Sequence, residues 1–186
     1  MATLYLGLVH HPVYNKNGDK IASALTTLDL HDLARLCKTY GLKRYFVITP
    51  LEDQRELAER VIRHWTKGYG ARYNRDRKEA VQEVCVVPDL DRALGDIEKV
   101  EGERPLTMAT DAAPQENALD YTAARGVLAR DRAVLLLLGT AWGLHQDVLR
   151  GVDFVLEPVT GAGEYNHLSV RTAAAVIVDR LLGAGR

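Results

Sequence analysis

Three groups of residues have types and spacings that chemistry could use. The first is the loop Gly139-Thr140-Ala141-Trp142-Gly143, which directly follows the apolar run Ala133 to Leu138. Glycines let backbone N–H and C=O groups approach a flat ligand closely. No Lys-Ser/Thr pair follows these glycines, so the loop is not a phosphate cradle. Neither Gly139 to Gly143 nor Gly161 to Gly163 forms a dinucleotide fingerprint at a first strand. An uncharged backbone cradle beside apolar walls suits adenine better than pyrophosphate. The competing account is a structural turn around a packed Trp142. Glu157, closing a second apolar run from Val152 to Leu156, could meet ribose hydroxyls or a cationic ligand group, or simply Arg171 or Arg180 at the surface. Asn166, His167 and Ser169 stand at a helix start, where caps occur in any protein. No Gly-x-Ser-x-Gly elbow surrounds Ser169, which argues against a nucleophile.

The second group is Asp29, His31, Asp32 and Arg35, with His11 beside Pro12 at the end of the first strand. Asp32 and Arg35 lie one turn apart and can pair, and both aspartates favour the positive end of a helix. That account needs no function. The third group is Arg60 to Lys78, which carries seven Lys or Arg against one Asp in a chain of net charge -1. Trp65, Tyr69 and Tyr73 interleave with these charges. Basic groups beside aromatic faces suit a surface that tracks a nucleic-acid backbone and stacks bases. A solvated helix end with Trp65 in the core is the alternative. The stretch divides: Trp65 is expected in the core, while Arg72, Tyr73, Arg75 and Arg77 are expected to face a nucleic acid.

The elements that must position these groups alternate along the chain. Strands are expected at Leu4 to Val9, Tyr45 to Thr49, residues 82–87, residues 105–110, Ala133 to Leu138 and Val152 to Leu156. Helices are expected from Asp29 as cap to Gly41, from Pro50 to near Gly68, from Pro88 over Leu90, Leu94 and Ile97, from Leu119 to Ala129, and from Asn166 as cap over Leu168, Ala173, Val176, Ile177 and Leu181. Val13 to Ile21 reads as a polar loop turning at Asn17-Gly18. Unbroken apolar strands alternating with amphipathic helices predict an α/β domain with a mainly parallel sheet and helices on both faces. Ligands of such sheets bind in loops at the carboxyl ends of the strands. The whole of 1–186 is expected to be one domain.

Composition narrows the class. At 47% hydrophobic and 26% charged the chain is ordinary for a soluble globular protein. It has no apolar stretch of about 20 residues, and its start shows neither basic leader nor cleavage site. Cys37 and Cys85 lack metal spacing and read as reduced, packed thiols. The expectation is a cytoplasmic protein that uses no metal and no membrane.

Several stretches also carry a resemblance. LLLGTAWGL, then DFVLEPV and YNHLSVRTAAAVIVDRLL, resemble the C-terminal cofactor segment of the SPOUT class of RNA methyltransferases. HHPVYNKNGD, TLDLHDLAR and HWTKGYGARYNRDR fit one bacterial branch, related to a domain attached to guanine-N1 tRNA methyltransferases. The resemblance spans nearly the whole chain. It implies a C-terminal trefoil knot, which periodicity alone does not show, and S-adenosyl-L-methionine as cofactor. By resemblance the cofactor contacts fall on Thr110, on Leu138, Gly139, Thr140 and Gly143, on Leu156, Glu157 and Pro158, and on Asn166, His167, Leu168 and Ser169. It further implies a homodimer that methylates tRNA or rRNA, with residues of one subunit reaching the other's pocket. Methyl transfer needs a base within reach of the acceptor, so His11, Asp29, His31, Asp32 and Arg35 become candidates for the acceptor side. Two rivals stand beside this reading: an S-adenosylmethionine- and RNA-binding module assisting a partner methyltransferase, and an ordinary nucleotide-binding doubly wound protein.

Overall fold

The computed structural model describes residues 2–183. Among them the order is β1 (Leu4–Val9), β2 (Val13–Tyr14), β3 (Lys20–Ile21), α1 (Thr27–Tyr40), β4 (Tyr45–Ile48), α2 (Glu52–Thr66), α3 (Gly70–Tyr73), α4 (Arg75–Val81) and β5 (Val84–Val87). There follow α5 (Leu90–Glu101), β6 (Leu106–Thr110), α6 (Tyr121–Leu128), β7 (Val134–Gly139), α7 (Gln146–Leu149), β8 (Phe154–Leu156) and α8 (Val170–Leu182). Six strands form one sheet in the order β5-β4-β1-β7-β6-β8. Every pairing in it is parallel.

The centre strands are apolar on both sides because both sides are covered. Leu4, Leu6 and Leu8 of β1 join Val134, Leu136 and Leu138 of β7 in a core with Leu30 and Leu33 of α1, Val127 of α6 and Ile177 of α8. Tyr5, Val9, Leu135 and Leu137 face the other way, onto Ala93, Leu94 and Ile97 of α5 and Val148 of α7. Between these strands Gly7 leaves no room for a side chain: a Cβ there would stand 2.9 Å from Leu137 Cδ2. From β1 the chain leaves towards β4, and from β7 it leaves towards β8, on the opposite side of the sheet. The β1–β7 boundary is therefore the topological switch point, where open α/β sheets form a crevice at their carboxyl ends.

Four expectations need correcting. Helix α1 is capped by Thr26, not Asp29. Thr26 Oγ1 accepts from the Asp29 backbone N–H at 3.1 Å and donates to Asp29 Oδ2 at 2.6 Å, so cap and third helical residue hold each other through the hydroxyl. Ser169, not Asn166, caps α8, its Oγ accepting from Thr172 N–H at 3.3 Å. Asn166 to Leu168 is an extended approach to the helix, so Leu168 lies outside the apolar stripe and is 43% exposed. The polar loop after Val13 is instead a small antiparallel hairpin, with Gly18 in the left-handed region at its turn. Finally, no helix was expected between Gly68 and residue 82, yet the basic stretch continues from α2 through the short α3 and α4. No helix among the described residues is long and apolar enough to cross a membrane.

Candidate functional site

A cavity of about 680 Å³ opens at the carboxyl ends of β6 and β7. Four separate stretches line it, Ser23 to Asp29, Thr110 to Ala113, Leu138 to Gly143, and Asn166 onward into α8, together with Val159. Nine of the residues that the sequence pointed to for a cofactor are in this lining: Thr110, Leu138, Gly139, Thr140, Gly143, Asn166, His167, Leu168 and Ser169. Leu156, Glu157 and Pro158 are not in the lining. Leu156 is buried in the core, and the Glu157 backbone N–H is spent on the Leu119 carbonyl at 2.8 Å, tying β8 to the segment before α6.

The glycine-bracketed loop is held in an unusual shape. Ala141 has φ 52° and Gly143 φ 99°, and Gly143 N–H closes a turn onto the Thr140 carbonyl at 3.0 Å. A non-glycine residue in the left-handed region costs roughly 1 kcal/mol, so the fold must impose this shape. The hairpin supplies the constraint: Trp142 N–H donates to the Tyr14 carbonyl at 3.1 Å, and Tyr14 N–H to that of Gly143 at 3.0 Å. Gly139 admits no Cβ, which would lie 2.7 Å from Leu144 N. Trp142 is 62% exposed, so the loop is not a turn built around a packed tryptophan. Across the cavity, Asn166 Nδ2 donates to the Ala112 carbonyl at 3.2 Å and joins two of the lining loops.

Two polar assemblies border the cavity. In the first, His10 Nδ1 lies 2.9 Å from Ser23 Oγ, which lies 2.5 Å from Thr140 Oγ1, which donates to the Val9 carbonyl at 3.1 Å. His10 is fully buried, and its Nε2 has no partner among the described residues. Burial lowers its pKa to about 4 against the opposing pull of Asp29. In the second, Arg171 on α8 reaches back to α1, with Nη1 2.6 Å from Asp29 Oδ1 and Nε 3.3 Å from Asp32 Oδ2.

The five acceptor-side candidates do not converge. Only Asp29 lines the cavity, and its carboxylate is already engaged by Thr26 and Arg171. Asp32 pairs with Arg171, not with Arg35 as its spacing allowed, and reaches the cavity only through that guanidinium. His31 packs edge-on to Trp65 at 5.5 Å, where burial and then the Arg77 charge lower its pKa. Arg35 lines a second, separate cavity, and half-buried His11 lines neither. Sequence reasoning missed His10, Ser23 and Asp111, and offered Arg171 as a partner for Glu157 when it pairs with Asp29 and Asp32. The first three sit in or beside strand-end loops that it had already marked, and Arg171 lies two residues past Ser169.

The basic stretch is part exposed, part built in. Tyr69 and Tyr73 are 75% and 74% exposed, with rings stacked at 6.1 Å and 22°. Arg72 is exposed, and Arg75 pairs with Glu79 at 3.1 Å. The Arg77 guanidinium lies 4.4 Å above the half-buried Trp65 ring, so it is held by that ring and does not swing freely into solvent.

Residues 3–183 match the family model described as SAM-dependent RNA methyltransferase. A tRNA (guanine-N(1)-)-methyltransferase of Oleidesulfovibrio alaskensis is 48% identical over 180 residues, covering 97% of this chain but 42% of the relative, so the chain spans less than half of that protein. A protein of Aquifex aeolicus is 40% identical over 98% of this chain and 90% of its own length. Among solved structures, TrmJ from Z. mobilis superposes with a TM-score of 0.62 over 100% of this chain and 70% of its own, at 15% identity, a likeness of fold alone. With nearly its full described length matched, the chain belongs to the family of S-adenosylmethionine-dependent RNA methyltransferases.

Proposed function

We propose that this chain binds S-adenosylmethionine in the 680 Å³ cavity and transfers its methyl group to a nucleotide of tRNA or rRNA. The observation that carries the reading is the convergence of four distant stretches on one cavity at the sheet's switch point. Its chemistry fits the ligand. Leu138, Val159, Leu168 and Ile177 offer apolar walls for adenine. The Gly139 to Gly143 backbone offers hydrogen-bonding groups for its edge, and the carboxylate of Asp111 favours a cationic group. The volume lies in the ordinary range for small-molecule sites. Bound S-adenosylmethionine supplies an electrophilic methyl. The chain's residues hold it in line with an acceptor and exclude water.

Further features of the proposal rest on the same family reading. α8 packs back against α1, β7 and α6 after the chain leaves the edge strand β8. Asn166 clips its approach to the segment between β6 and α6. A return of this kind supports a C-terminal trefoil knot of the SPOUT type, within a single domain. Trp142, Tyr165 and Leu168 are large, exposed side chains carried on the lining loops. They support a homodimer in which a second subunit covers the cavity mouth and supplies the acceptor-side base that these loops leave uncommitted. The proposed setting is the cytoplasm, and no metal is required by the transfer.

Calorimetry tests the first half: one S-adenosylmethionine per chain is expected, and no binding at millimolar ligand overturns the reading. Transfer of labelled methyl to RNA from cells lacking the gene tests the second. Binding without transfer would return the protein to a binding module that assists a partner.

A further inference from the structure

We propose that the groove between α1 and α4 holds a backbone phosphate of single-stranded RNA, at a site separate from the methyl-donor cavity. This rests on the RNA reading above and locates it. The groove, a cavity of about 310 Å³, is lined by Arg35, Lys38 and Thr39 of α1, by Asn74, and by Asp76, Arg77 and Ala80 at α4. Three cations therefore face one carboxylate. Among the described residues none of the three cations makes an ion pair. Nearby basic residues do find partners: Arg63 has Glu59 and Arg75 has Glu79. Unneutralised like charges gathered in one cleft repel each other and raise the local concentration of an anion.

The groove is also built in advance. Asn74 Oδ1 accepts from Arg77 N–H at 2.9 Å and fixes the turn into α4. Arg77 lies over Trp65, itself wedged edge-on between His31 at 5.5 Å and His64 at 5.1 Å. A cation held this way loses little side-chain freedom when it meets its ligand. The neighbouring residues point to a nucleic acid rather than a free anion. Tyr73 directly precedes Asn74, and with Tyr69 it presents an exposed, stacked aromatic pair beside exposed Arg72. A small anion has no use for such a platform, whereas an unpaired base stacks on it. The site also accounts for Arg35, whose place on α1 takes it out of the donor cavity.

The test is fluorescence anisotropy with a labelled single-stranded oligoribonucleotide of about twelve nucleotides. The R35Q/K38Q variant should bind at least about tenfold more weakly. Its plot of log affinity against log salt should flatten by about 0.7 for each phosphate that the variant no longer neutralises. D76N, which removes the opposing carboxylate, should bind more tightly than wild type. The K99Q/R104Q variant removes the same charge from the α5 side of the sheet and should bind nearly as wild type. Equal weakening by both double variants would mean that only net charge matters and would overturn the site. So would unchanged affinity and slope in R35Q/K38Q, or a groove that takes inorganic phosphate tightly in wild type while oligonucleotide binding ignores the variant. S-adenosylmethionine affinity, measured on the same preparations, should stay constant and report an intact fold. If wild type binds and methylates RNA and R35Q/K38Q does so equally, the groove alone falls. If wild type binds the methyl donor but no RNA, the functional reading falls and takes the groove with it.

Discussion

The Val9 carbonyl can only accept, so Thr140 Oγ1 donates there and must accept from Ser23 Oγ. Ser23 Oγ, 3.5 Å from the His10 carbonyl, then gives its one proton to the nearer Thr140 and accepts from His10 Nδ1–H. Neutral His10 thus carries its proton on Nδ1 and leaves a bare, buried lone pair on Nε2. Because burial lowers its pKa to about 4, this order holds throughout the neutral range. Unfolding restores a pKa of about 6.5. The contribution of neutral His10 is therefore complete above about pH 6.5 and is lost as the pH falls from there through about 4, amounting to about 3 kcal/mol below that. The lowered pKa of His31 acts in the same direction. Urea midpoints of wild type should fall across this window. His10→Asn retains a donor towards Ser23 but no titration, and should flatten the curve; an unchanged slope would clear His10. Gly139 and Gly143 separate by different physics. At Gly139 a Cβ meets backbone at 2.7 Å, an overpacking that costs about 1–3 kcal/mol. At Gly143 the nearest atom is 3.8 Å away and only the positive φ resists, at about 1 kcal/mol. Melting temperatures should rank wild type, Gly143→Ala, Gly139→Ala in descending order, and the reverse order of the two variants would reject this account.

Among the elements, α1 and α8 are joined by Arg171, whose guanidinium answers Asp29 and Asp32 together. Asp29 is 6% exposed, so Arg171→Met leaves a buried carboxylate unpaired, at a cost of about 3 kcal/mol. Asp29→Asn combined with Arg171→Met should cost clearly less than the two single changes added. Additive losses in that cycle would show that the pair is not coupled. How much of this was legible follows from helical phase. At about 100° per residue, Asp32 returns to within about 60° of Asp29, while His31 and Arg35 turn away by about 160° and about 120°. Four polar residues in a short stretch looked like one cluster, but Asp29 lines one cavity and Arg35 another. Strand ends were legible because Gly and Pro bound each apolar run: Gly139, Pro12, Pro50 and Pro88 each fall at or within two or three residues of a strand's end. Caps were not, because Thr26 and Asp29, or Asn166 and Ser169, are all competent, and the entry of the chain decides between them. His10, Ser23 and Arg171 take their roles from contacts 13 to 142 residues apart in sequence, which local pattern does not encode.

Across the whole molecule, α1 connects both proposed sites. Thr26 and Asp29 at its start line the donor cavity, and Arg35, Lys38 and Thr39 further along line the α1–α4 groove. Asp29 and Lys38 stand about 14 Å apart along the helix axis. The cavity, for its part, draws on residues 23–29, 110–113, 138–143 and 166–177. A ligand there contacts segments that follow β3, β6, β7 and β8, so its binding stabilises several strands of the sheet together. If the described residues form a single folding unit, thermal unfolding should be one cooperative transition. S-adenosylmethionine at a hundredfold excess over its Kd should add about 2.7 kcal/mol to stability. For a chain of this size that moves the midpoint of the entire transition up by about 5–10 °C. Calorimetric and van't Hoff enthalpies should agree with and without ligand. Two transitions, with only the later one shifted, would mean that β4, β5 and the basic helices fold apart from the cavity, and the single-domain reading would fail.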